Sequence, residues 1–229
     1  MVDILEEADE ALKQEKLEKL WQQHGGSIIA VMVAIIVATG ANAGWKSWNQ
    51  SVNGKQTDAL LAAAEEDDMA AALEKAGQDL RPGLRGVALM TAAGSLLNDK
   101  KTDEALALYE KAAADSKIPA ELHDLAVLMS VRLGLGKEDA AQKKDTFLAQ
   151  LAPISSNAKS PWRYHADLEA AAILAHLGND YAAAQARLEP VLAEKQLPES
   201  LITKARALSH VYALRAAEAA TKDKEGDKS

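Results

Sequence analysis

Cysteine is absent from this chain of 229 residues, which removes disulfides, thiolate chemistry, zinc fingers, iron–sulfur ligation and a lipid-modified N-terminal Cys together. Aromatic residues are scarce, at 4%, and Phe147 is the only phenylalanine. A core must therefore be built by helices that approach closely on small side chains. The supply is ample: 47 residues are Ala, the best helix former, and strand formers are sparse outside one segment. Positive charge is also in deficit, with 26 Lys and Arg against 34 Asp and Glu, a net charge of −8. That balance argues against nucleic-acid binding, which needs clustered cations to neutralise phosphates. The expected fold class is all-α, in a length that suits one or two modest domains.

The mean hydropathy of −0.18 averages over unlike zones. Between Lys19 and Lys46 no Asp, Glu, Lys or Arg occurs, and Ser27 to Thr39 reads Ser-Ile-Ile-Ala-Val-Met-Val-Ala-Ile-Ile-Val-Ala-Thr. At about 1.5 Å per residue, roughly 20 helical residues cross the hydrocarbon layer, and Gly25 to Trp45 supplies that length. A transmembrane helix over residues 25–48 is expected, behind an N-terminal tail at 1–24. The competing reading is a cleaved signal peptide, because Ala41-Asn42-Ala43 has the small-x-small form of a cleavage site. Against it, residues 1–19 carry seven acidic side chains and three Lys, the reverse of a net-positive signal opening. Either outcome exports the rest of the chain.

Lys13, Lys16, Lys19 and the amino terminus before the span, against Lys46 and Lys55 after it, lean towards a cytoplasmic N-terminus. Trp21 on one side, with Trp45 and Trp48 on the other, would place amphipathic rings at both membrane interfaces. Gly26, Ala30, Ala34 and Ala38 recur every four residues, and Gly40 and Gly44 form a Gly-x-x-x-Gly pair. Small residues at this spacing allow another membrane helix to pack closely, with Thr39 or Asn42 available to hydrogen-bond across.

From Asn49 onward, Pro82-Gly83, Pro119, Gly134 to Gly136, Pro153 to Pro161, Gly178-Asn179 and Pro198 separate Ala-rich amphipathic runs of 13 to 17 residues. Compared with itself at an offset of 79 residues, the chain matches Leu89, Ala92, Ala93, Ala105, Glu110, Pro119, Leu122, Ala126 and Ser130 to Leu168, Ala171, Ala172, Ala184, Glu189, Pro198, Leu201, Ala205 and Ser209. Within each copy the pattern resembles the tetratricopeptide repeat, a hairpin of two helices that touch through small positions. Ala105, Tyr109 and Ala112 fit its second helix; Leu89, Ala92, Ala93 and Leu96 fit its first. In the later copy Ala171 and Ala172, then Ala184, Leu188 and Val191, hold the equivalent places, and Leu73 and Ala76 suggest an earlier hairpin. Leu replaces most consensus aromatics, and Pro190 falls within a second helix, where it should kink the chain. About four degenerate hairpins and a capping helix from Pro198 to Thr221 are expected, stacked as an α-solenoid over residues 49–221. The charged stretch 222–229 is expected to be disordered.

Chemistry-bearing motifs are missing. The five His residues show no His-x-x-x-His or Glu-x-x-His spacing, and no Gly-x-Ser-x-Gly, Walker-type or dinucleotide-binding glycine pattern occurs. His123-Asp124, and His165 near Asp167, are the nearest approach to a base with an orienting acid, but neighbours on a helix point apart. Glu65-Glu66-Asp67-Asp68 reads as a solvated turn rather than a cation site. No enzyme activity, cofactor, metal or small-molecule substrate is expected.

An acidic tail, one span leaving the membrane through Gly44-Trp45-Lys46-Ser47-Trp48-Asn49, and degenerate tetratricopeptide hairpins together resemble a known family. It is the ancillary subunit of the bacterial SecYEG translocon, a single-pass inner-membrane protein. The resemblance implies a cytoplasmic N-terminus, a periplasmic repeat domain, and association with the translocon and with a membrane-anchored periplasmic chaperone that assists secreted proteins. An envelope-assembly or cell-division scaffold is the alternative from the same broad group. First helices line the concave face of such arrays, which makes Met90 and Asn98 candidate groove positions.

Overall fold

The computed structural model describes residues 46–226. The expected tail at 1–24, almost all of the expected span, the stripe Gly26, Ala30, Ala34, Ala38, Gly40 and Gly44, and the rings of Trp21 and Trp45 lie outside the described residues. Trp48 lies within them and is 55% exposed. No helix among the described residues is long and apolar enough to cross a membrane. The chain divides between Lys55 and Gln56, and the helix packing belongs to the larger unit, Gln56 onward.

Every regular element among the described residues is helical: α1 (46–64), α2 (Met69–Gly77), α3 (Pro82–Asn98), α4 (Thr102–Ala114), α5 (Ala120–Gly134), α6 (Lys144–Ser156), α7 (Arg163–Gly178), α8 (Tyr181–Ala193) and α9 (Glu199–Gly226). Each helix from α2 to α8 packs against its successor, so the fold is a file of hairpins, with the α5–α6 contact the slightest. Local sequence explains the boundaries. Asp68 caps α2 by accepting the Ala71 N–H at 3.2 Å, and Asp180 caps α8 through Ala183 N–H at 2.9 Å. Pro82 occupies the first turn of α3, where its missing N–H costs nothing, and Pro119 caps α5. Residues 65–68 form the turn between α1 and α2.

Three apolar clusters run along the file. The first joins α1 to α5, from Ala63 to Ala126; the second joins α5, α6 and α7; the third joins α7, α8 and α9. Helices α5 and α7 therefore serve two clusters each. On α7, Ala166, Ala170 and Ile173 face the second cluster, and Leu168, Ala171 and Ala175 face the third. A helix buried on opposite flanks has little room for bulk, and its hydrophobicity is spread around the axis instead of along one stripe.

The 79-residue correspondence extends to the backbone. The turn after α3 passes through Lys100 at φ 62° and the turn after α7 through Asn179 at φ 52°, the only non-glycine residues of positive φ among those described. They are 79 positions apart. Asn tolerates this left-handed geometry, whereas Lys adopts it at a cost of about 1–2 kcal/mol.

The structure also shows a hairpin copy that the offset did not find. Ala105, Tyr109 and Ala112 on α4, Phe147, Leu151 and Ile154 on α6, and Ala184, Leu188 and Val191 on α8 hold one register, and all nine are buried. On α6 the only Phe stands where the other two helices have Ala. Room for it comes from Gly134 on α5, where an added Cβ would sit 2.9 Å from two ring carbons of Phe147.

Two boundaries differ from expectation. The sequence places a break at Pro153, yet α6 continues through it to Ser156, as α8 continues through Pro190 to Ala193. So close to a C-terminus a Pro deletes one backbone bond, and Ser155 and Ser156 hydroxyls satisfy the Ala152 carbonyl at 3.2 and 2.8 Å. Composition predicts disorder over 222–229, but α9 runs to Gly226, because extending an Ala-rich helix costs little per residue. Residues 227–229 lie outside the described residues.

Arg85, in the first turn of α3, ties three helix ends. Its Nε donates to Gly77 O at 3.1 Å and its Nη2 to Leu80 O at 3.1 Å, while Nη1 meets the Asp115 carboxylate beyond α4 at 2.8 Å. The Lys117 N–H and the Arg85 guanidinium hold the Asp115 carboxyl below its ordinary range.

Gly134→Ala should destabilise the protein by about 1–3 kcal/mol in urea unfolding, and adding Phe147→Ala should cost less than the two changes summed. Because the Asp115 pKa is depressed in the folded state, its stabilising contribution is present above the unfolded pKa and is lost as pH falls through the folded one. Arg85→Met should lower the melting temperature at neutral pH, with the gap to wild type narrowing in acid. A gap independent of pH would contradict this linkage.

Candidate functional site

The first helices of the hairpins, α3, α5 and α7, supply the candidate surface. On α3, Val87, Met90, Thr91, Gly94 and Asn98 recur at three- and four-residue intervals and share one face. Val87, Thr91 and Asn98 are exposed, and Met90 is half-buried against the first cluster. A Cβ added at Gly94 would meet nothing within 4 Å, so this face is open in the larger unit. Of the expected groove positions, Met90 thus shares its side chain between core and surface, and Asn98 ends the helix in solvent.

Under the 79-residue register Met90 corresponds to Glu169 of α7. Glu169 is buried, and Arg132 of α5 meets it through both Nε, at 2.9 Å, and Nη2. The remaining nitrogen, Nη1, lies 4.0 Å from the Met129 sulfur. Like Met90, Met129 is half-buried against the first cluster. The face therefore passes from thioethers on α3 and α5 to a guanidinium–carboxylate pair joining α5 to α7.

One turn before Glu169, the His165 Nδ1 is buried with no hydrogen-bond partner among the described residues. Its ring stands edge-on to Trp162, centroids 5.5 Å apart. Burial holds its pKa below the ordinary value; Arg132 and Lys204 push the same way and Glu169 opposes them. The imidazole is accordingly neutral at physiological pH. Trp162 and Ser160 fasten the lead-in to α7: the indole N–H donates to Glu121 O at 2.8 Å and the Ser160 hydroxyl to the Asp124 carboxylate at 2.6 Å.

Both aspartates of the histidine–aspartate pairs noted in the sequence have another partner. His123 Nδ1 is 3.7 Å from the Asp124 carboxylate, whose other oxygen takes the Ser160 hydroxyl. The salt-bridge partner of Asp167 is Arg187 of α8, at 3.8 Å, not His165. Among the described residues no group of three His, Asp or Glu side chains converges as metal ligands would. The positions assigned to repeat packing lie inside: Ala92, Ala93, Ala105, Tyr109, Ala112, Ala171, Ala184 and Leu188 are buried, and Ala172 is half-buried.

Sequence reasoning missed the Arg132–Glu169 pair, the Trp162 clamp and the α6 copy. The first two join residues 37 and 41 positions apart that share no motif. The third carried a signal: Leu151-Ala152-Pro153-Ile154 and Leu188-Glu189-Pro190-Val191 align at an offset of 37.

A double-mutant cycle on Arg132→Ala and Glu169→Ala should return a coupling of about 1 kcal/mol or more, since only the guanidinium side of the pair is well solvated. Simple additivity of the two changes would mean that the pair does not hold α5 to α7.

Compared with known proteins, the chain matches no family, no curated protein and no solved structure.

Proposed function

We propose that this protein is a membrane-anchored, non-catalytic protein-interaction module whose helices form a tetratricopeptide-like α-solenoid. Residues 25–48 span the bacterial inner membrane, the acidic tail at 1–24 faces the cytoplasm, and the hairpins from residue 49 stand in the periplasm. On this reading the module is an accessory subunit of the Sec translocon. It links the SecYEG channel to a membrane-anchored periplasmic chaperone for emerging secreted proteins.

The observation that carries the proposal is a juxtaposition within one chain. A stretch without charge from Leu20 to Trp45 precedes a file of hairpins whose second helices repeat one buried register. A charge-free stretch of that length inserts in a bilayer and anchors the domain attached to it. Hairpins whose crossings are filled with Ala stack side by side and expose their first-helix faces, such as the face of Met90 and Asn98, to partners. The buried polar groups beside that face are engaged in structural contacts or, like His165, left unpartnered, which suits holding a polypeptide rather than transforming it.

The full chain, purified from gently solubilised bacterial membranes after crosslinking, should bring translocon subunits with it. Replacing Ala34 and Ala38 with Leu, which fills the small-residue stripe, should reduce that recovery. Recovery of division or peptidoglycan-synthesis proteins in place of the translocon would transfer the module to envelope assembly. A protein that stays soluble after cell fractionation would sink the anchored reading.

A further inference from the structure

The second helices leave troughs between them, and the three troughs differ in charge. Between α2 and α4 the lining holds Asp68, Glu74 and Glu104 with Lys101 and Lys111, and a 2.8 Å Lys111–Glu74 pair crosses it. Between α4 and α6 it holds Glu110, Ser130 and Gln150, with Lys137 and Lys143 at one end, each paired with a carboxylate outside the trough, Asp103 and Asp139. Between α6 and α8, over the first turns of α7, a trough of about 760 Å³ holds Arg163 and Arg187 against a single carboxylate, Asp167. In a chain of net charge −8, two arginines on one trough against a single lining carboxylate run against the overall sign.

The guanidiniums there are poorly matched. The hydrogen-bond and ring contacts of Arg163 are to the uncharged Tyr164, its hydroxyl and its ring at 4.2 Å, while its charge also acts on the Asp167 and Glu194 carboxyls nearby. Glu194 accepts from that hydroxyl at 3.0 Å but does not line the trough. Arg187 reaches Asp167 only at 3.8 Å. Burial pushes the Asp167 carboxyl up against the pull of both arginines.

The walls point to a polypeptide. Ala149, Ala152, Pro153 and Pro190 make shallow apolar sides along which an extended chain can lie. Pro153 has no N–H to give the Ala149 carbonyl four residues earlier. A free phosphate would engage the guanidiniums and leave these walls bare. We propose that the trough between α6 and α8 binds an extended acidic peptide, with Arg163 and Arg187 receiving its side-chain carboxylates. The planar guanidinium fork matches a carboxylate with two parallel hydrogen bonds. This site lies between the second helices α6 and α8 over the first turns of α7, away from the face of Met90, and does not depend on the membrane anchor.

The probe is a short dye-labelled peptide alternating Glu and Leu, titrated by fluorescence anisotropy into the full chain in detergent micelles. Saturable binding is expected, weakened about tenfold or more when Gln replaces Glu in the peptide, and about tenfold by Arg163→Gln. Ala152→Glu, at an exposed position on α6, should block binding by placing a carboxylate of the chain itself in the trough while both arginines remain. Thermal unfolding by circular dichroism checks that each variant is folded. Equal binding of the Gln peptide would overturn the proposal, as would affinity unchanged in both variants. Displacement by inorganic phosphate as readily as by free peptide would assign the trough to a small anion and overturn it too.

Discussion

Close approach of helices through alanine is the constraint on which the structure depends. Ala92, Ala93, Ala105, Ala112, Ala126, Ala166, Ala171, Ala184 and Ala205 are fully inaccessible and sit where one helix crosses the next. A buried methyl contributes little by area. Its role is to let larger neighbours, among them Leu73, Leu128, Leu151, Ile173, Leu188 and Tyr212, reach across the crossing and meet. Where Ala is missing the constraint still holds, because Phe147 has its space from Gly134 on the facing helix. Volume is conserved across the pair rather than at each position.

Polar contacts then set how hairpins join. Arg85 binds the ends of α2 and α4 to the start of α3; Arg132 and Glu169 link two first helices; Trp162 and Ser160 pin the lead-in of α7 to the start of α5. The last two arrangements bridge the region where α5 and α6 pack least, so side-chain links stand in where apolar packing is thin. Such links are directional, and fix the relative placement of helices that methyl groups would let slide.

The two faces of the file differ in chemistry for the same reason. First helices are squeezed between neighbours and present thioethers, a glycine and a neutralised ion pair. Second helices stand apart enough to leave troughs whose charge varies from one to the next. The packing of one face places few demands on the exposed residues of the other, so the chemistry of the two sides can vary independently.

The sequence by itself determined the helical class, the capped and proline-marked helix starts, and the correspondence at 79 residues, because helix propensity, capping and a repeated register are properties of neighbouring positions. Continuation of α6 beyond Pro153 was less legible, since a Pro in the last turn costs only one backbone bond and the sequence does not show whether packing outweighs it. Tertiary structure alone decided that Phe147 fits against Gly134, that Asp167 pairs with Arg187 in preference to His165, and that Arg163 and Arg187 share a trough. Those outcomes rest on distances between helices. Such distances are set by the summed volumes of side chains at each crossing and leave no periodic trace in the chain.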